Sequence, residues 1–165
     1  MKKQNLEQKI KVAIVHDFQR SRLELLPGFD PQGDFDYGIK AMVKAYEELG
    51  HADYMIVIDG GMWDVTTSSQ NSFPGEVEEK MNEAGINVSV ESQGYTSQGY
   101  PAGASGIVES IKEEEGLDKL TADYVYVHFR EDKAEVLYQS TCKELRNGGE
   151  SSWVKGAVGY KLTRK

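Results

Sequence analysis

The strongest constraint on the fold is that short apolar runs alternate with helical segments, over connections too long for hairpins. Val12–Val15 and Tyr54–Ile58 are short apolar runs of the kind that form buried strands. Between them, an apolar residue recurs every three or four positions, which predicts a helix ended by Gly50. The residues of that apolar face are Ile39, Met42, Val43, Tyr46 and Leu49. Strand and helix alternate four times, which predicts an α/β fold of three layers, with a mostly parallel sheet and helices on both faces.

The same patterns predict the remaining elements. In chain order these are a helix closed by Gly85, a strand at Ile86–Val90, a helix burying Val108 and Ile111, strands at Ala122–Phe129 and Ala134–Gln139, a short helix at Cys142–Arg146 and a strand at Val154–Leu162. Neither a linker nor an internal repeat interrupts this order. Residues 1–165 are therefore predicted to form one domain.

Composition and charge exclude several classes of protein. The chain has 19 Lys and Arg against 27 Asp and Glu, a net charge of −8, whereas binding a nucleic-acid polymer requires a basic surface. Its single cysteine, Cys142, can form neither an internal disulfide nor a thiolate zinc site. No apolar run approaches the ~20 residues of a membrane span, and none near the N-terminus is long enough for a signal peptide. We therefore expect a cytoplasmic protein that contacts no membrane.

Two of the three histidines, His16 and His128, lie at the ends of predicted strands. Ligands of α/β proteins bind at the carboxyl ends of strands, and two imidazoles with one carboxylate form a zinc site with an open position. An aspartate near the first helix would complete this site, and we assign Asp36, with Asp30 and Asp34 as alternatives. The competing interpretation is that the two histidines are unrelated and each is hydrogen-bonded to backbone.

A second candidate site is the Gly- and Tyr-rich segment from Gly94 to Gly106, which leads into a helix. Glycines let backbone N–H groups approach a ligand closely, helix N-termini attract anions, and tyrosine rings stack on bases or sugars. A surface loop with no ligand is the alternative. The predicted ligand-binding residues are Tyr95, Gly99, Tyr100, Gly103, Ser105, Gly106 and Arg130.

The order of these features resembles the zinc-dependent N-acetylmuramoyl-L-alanine amidases that have a parallel α/β core. The matching segments are Ile14–His16 at a strand end, Gly28–Gly33, the helix end at Leu49–His51, and Tyr126–Arg130 at a later strand end. The resemblance implies a zinc hydrolase of the cell wall. However, the Gly-His-Gly sequence and the catalytic glutamate of that family have no counterpart here.

These observations predict a non-catalytic binding protein that holds a small polar or anionic ligand in a crevice at the strand ends. The ligand would be nucleotide-like, as in phage proteins that sequester signalling nucleotides. A binding segment can be assembled from these residues, whereas a complete catalytic set cannot. The alternatives are a zinc-dependent amidase-like hydrolase and a protein–protein interaction module, including a homo-oligomer, so enzymatic activity stays open.

Overall fold

A computed structural model of the chain describes residues 10–16, 31–58, 73–93, 104–130, 133–146 and 157–165. These residues form one six-stranded sheet and three helices. The strands are β1 (Ile10–His16), β2 (Tyr54–Ile58), β3 (Val88–Gln93), β4 (Thr121–Arg130), β5 (Lys133–Glu144) and β6 (Ala157–Arg164). The helices are α1 (Pro31–Glu48), α2 (Phe73–Glu83) and α3 (Ala104–Glu115). No helix in this part of the chain is long and apolar enough to cross a membrane.

The sheet is mixed, with the strand order β3-β6-β2-β1-β4-β5. Strand β1 is parallel to both of its neighbours, β2 and β4, whereas the β2–β6, β3–β6 and β4–β5 pairs are antiparallel. The predicted three-layer fold with a mostly parallel sheet is therefore wrong. Two features cause the difference: β5 follows β4 as a hairpin, and β6 inserts between β2 and β3 in the opposite direction.

The hairpin also replaces the helix predicted at Cys142–Arg146, because β5 continues to Glu144. Cys142 has a positive φ of 54°, and its N–H donates to Asp123 Oδ1 on β4 at 2.8 Å. The ladder shifts register here and again after Tyr126, so β5 carries two irregularities. The sequence around Cys142 has no pattern that distinguishes an irregular strand with one left-handed residue from a short helix.

The two faces of the sheet carry separate apolar clusters. We call the first the α1–α2 cluster; it joins Ala13, Val15, Val125 and Val127 to side chains of both these helices, including Met42 and Met81. We call the second the α3 cluster; it joins Ile10, Val12, Ile14, Tyr124 and Tyr126 to Ile107, Val108 and Ile111. Because β1 is covered on both faces, its sequence is a continuous apolar run rather than an alternating one.

Helix α1 begins at Pro31, ahead of Asp34 and Asp36. Proline suits the first turn of a helix because the N–H it lacks would have no partner there. After Glu48, the N–H of Gly50 donates to Glu47 O at 3.0 Å, with φ at 80°. The predicted glycine end of this helix is confirmed, and Gly85 (φ 93°) ends the turn after α2 in the same way.

Candidate functional site

Four strands end at one edge of the sheet, at His16, Ile58, Gln93 and Arg130; we call this the carboxyl edge. Strands β1, β2 and β4 are mutually parallel, and β3 runs with them because β2 and β3 are both antiparallel to β6. Each of the three helices ends a few residues before the next of these parallel strands begins at the opposite edge, so each helix begins towards the carboxyl edge. The carboxyl ends of four strands and the N-termini of three helices therefore lie towards this edge of the sheet.

The strand order reverses at β1. The chain leaves β1 for β2 on one side and later returns to β4 on the other side. In open α/β sheets, such a reversal separates the connections above two neighbouring strands and leaves a crevice, in which ligands bind. In this sheet the reversal lies between β1 and β4.

The two predicted histidines meet at this reversal. His16 and His128 are Cα partners in the parallel ladder between β1 and β4, and Glu135 on β5 is the next partner of His128. Neighbouring strands are about 4.8 Å apart, so three positions with metal-binding side-chain types occupy one short row. The side chain of His128 is 5% exposed. Among the described residues, His128 is the one polar or charged residue in the buried class. The side chain of His16 lies outside the described part.

The third predicted metal ligand, Asp36, is the sixth residue of α1. Its side chain lies outside the described part of the chain, so its role stays a prediction. Among the described side chains, no group of three or more His, Cys, Asp or Glu is placed to hold a metal ion.

The predicted ligand-binding segment falls mostly between described residues. Ser105 and Gly106 belong to the first turn of α3, which begins at Ala104, rather than to a loop before the helix. Arg130 is the last residue of β4. The side chains of Ser105 and Arg130 are not described. The other predicted residues lie outside the described ranges: Tyr95, Gly99, Tyr100 and Gly103.

An aromatic cluster that the sequence motifs do not predict lies on the same face as His128. Tyr126 stacks on Tyr138 with ring centroids 5.1 Å apart, and Tyr124 meets Tyr138 edge-on at 6.0 Å. Tyr124, Tyr126 and His128 share this face because side chains alternate along β4. The sequence shows these side chains at every second position of β4. It does not show that Tyr138 lies beside them, because that depends on the pairing of β4 with β5.

Charged groups at the opposite, amino edge of the sheet have a structural function. Lys161 Nζ is 2.8 Å from Glu114 Oε2, and the buried Tyr54 hydroxyl donates a hydrogen bond to Glu115 Oε2. Burial, followed by this hydrogen bond, raises the pKa of Tyr54 above its usual value. The acidic end of α3 thus holds the helix to β2 and β6.

His51, the third histidine, also lies at the amino edge. Its Nε2 is 3.7 Å from Asp53 Oδ1, and Asp53 Oδ2 accepts the Lys11 N–H at 2.9 Å. Burial lowers the pKa of His51, with a smaller opposing effect of the Asp53 carboxylate. His51 is therefore separated from His16 and His128 by the length of the parallel strands.

Comparison of the chain with protein-family models, curated proteins and solved structures finds no match. The resemblance to the amidases therefore stays a prediction that rests on the sequence segments alone.

Proposed function

We propose that the protein binds a small anionic ligand at the carboxyl edge, in the crevice between β1 and β4. The observation that carries this proposal is the reversal of strand order at β1, with His16 and His128 in register on either side of it. Sites of this kind occupy the same place in other open α/β sheets.

The residue types at this edge favour an anion. The N-terminus of α3 lies towards the carboxyl edge, and the free N–H groups of a first helical turn attract negative charge. Histidine can donate hydrogen bonds to an anion and is positively charged when protonated. A net charge of −8 repels anions at long range, so binding would depend on these short-range groups.

Native mass spectrometry of freshly purified protein tests for a bound molecule, and calorimetric titration then measures affinity. The probes are inorganic phosphate, ribose 5-phosphate and adenosine 5′-monophosphate. We expect binding of at least one phosphate-bearing probe, with tighter binding of the nucleotide if Tyr95 or Tyr100 stacks on its base.

A pair of serines on one helix gives a matched comparison. Ser105→Ala removes a hydroxyl from the first turn of α3, whereas Ser110→Ala removes one from the second turn. We expect a weaker affinity for the phosphate-bearing probe in Ser105→Ala only. Equal affinities in the two variants, or no binding of any probe by the folded wild-type protein, would contradict the proposed function.

A further inference from the structure

We propose that His16, His128 and Glu135 together bind one divalent transition-metal ion, with zinc as the natural probe. The three residues occupy one row across β1, β4 and β5, because His128 is the register partner of His16 on one side and of Glu135 on the other. The inference rests on the proposed function in that the metal would supply positive charge for the anion, but metal binding can be measured without any anion.

All three positions fall on one face of the sheet. Val15, Val127 and Val136 each pack in the α1–α2 cluster on the opposite face. Because side chains alternate along a strand, the next positions, 16 and 128, and the preceding position, 135, belong to the other face. Tyr126 and Tyr138 stack on this face as well, and the register shift between their pair and the Val127–Val136 pair brings position 135, three residues before Tyr138, onto the same face.

The carboxylate is the new element of this site. Asp36 is on α1, whose buried side chains pack against Val15 and Val127, on the face opposite to the position of His128. Glu135 is on the same face as His128 and directly beside it in the ladder. Its carboxylate is 49% exposed and 3.5 Å from Lys133 Nζ, an exposed ion pair of low energy that a metal can displace.

The ligand chemistry fits a transition metal. Two imidazoles and one carboxylate are a common zinc set that leaves one coordination position open for water or an anion. His128 is buried, which limits competition from water, whereas the exposed Glu135 leaves access from the beginning of β5. Calcium and magnesium would be disfavoured, since they prefer oxygen ligands.

Titration of tag-free, chelator-treated protein with Zn²⁺ tests the site. We expect one Zn²⁺ per chain by native mass spectrometry, and a loss of affinity of about tenfold or more in Glu135→Gln and in His16→Ala. His51→Ala is the matched histidine control and Asp36→Asn the matched carboxylate control, and both should bind like the wild type. Co²⁺ should give the intense visible absorption of a tetrahedral site, which weak surface binding does not produce.

His128→Ala is the most direct variant, but removing a buried side chain can prevent folding, so its circular dichroism is compared with the wild type first. Glu135→Gln changes an exposed group and keeps the inference falsifiable. Failure of folded wild-type protein to bind Zn²⁺, unchanged affinity in Glu135→Gln, or loss of binding in Asp36→Asn would each overturn it. Phosphate binding by metal-free protein would overturn the metal's part in holding the anion but leave the proposed function intact. Zn²⁺ binding with no anion binding would overturn the proposed function but leave the metal site intact.

Discussion

The hydrogen bond from Tyr54 to Glu115 should give a stability contribution that disappears in alkali. Tyr54 is 1% exposed, and its hydroxyl reaches the carboxylate at the end of α3. A hydrogen bond to a charged group contributes about 1.5–3 kcal/mol. Because Glu115 is exposed and regains water when the hydroxyl is removed, we expect Tyr54→Phe to lower the free energy of unfolding by about 1–2 kcal/mol at pH 7.

The pH dependence follows from the raised pKa of Tyr54. In the unfolded chain a tyrosine loses its proton near pH 10, whereas the folded protein keeps this one protonated at that pH. Ionisation therefore favours the unfolded state, so the contribution is complete below about pH 10 and is lost as the pH rises further. At pH 11 the loss amounts to about 1.4 kcal/mol for this group.

Urea unfolding, followed by circular dichroism at pH 7 and pH 11, measures both effects. The difference in stability between the wild type and Tyr54→Phe should narrow by about 1.4 kcal/mol at the higher pH, because the variant lacks the ionising group. A double-mutant cycle with Glu115→Gln isolates the energy of the pair. A difference that is the same at both pH values, or no coupling in the cycle, would refute the reasoning.

Three further predictions concern the fold. Gly85→Ala should cost about 1 kcal/mol in thermal unfolding because of its φ of 93°, whereas Gly75→Ala, in open space on α2, should be neutral or stabilising; the reverse order would contradict the backbone argument. Met42→Ala should cost about 2–5 kcal/mol in urea unfolding, since Met42 is fully buried. Burial lowers the pKa of His51, so its contribution is present above about pH 6.5 and lost in acid; stability curves of His51→Gln should fall less between pH 7 and pH 5 than those of the wild type.

Local patterns in the sequence predicted most elements but not their assembly. The apolar face of α1 and the glycine after it follow from helical periodicity, and both are present. The antiparallel insertion of β6 between β2 and β3 depends on a pairing distant in the chain, so no local pattern encodes it. The sequence predicts a short helix at Cys142–Arg146, whereas the structure has a strand there as far as Glu144, in which Cys142 adopts a left-handed backbone held by Asp123.

The candidate site shows the same division between local and distant information. That His16 and His128 lie near strand ends follows from the apolar runs before them. Their common register does not, because a strand buried on both faces lacks the alternation that fixes its alignment. Register also decides the carboxylate: proximity to the first helix suggested Asp36, whereas the β4–β5 hairpin brings Glu135 beside His128. Comparing the Zn²⁺ affinity of Glu135→Gln with that of Asp36→Asn thus tests which carboxylate binds the metal: the one paired with His128 in the sheet, or the one near the first helix in the sequence.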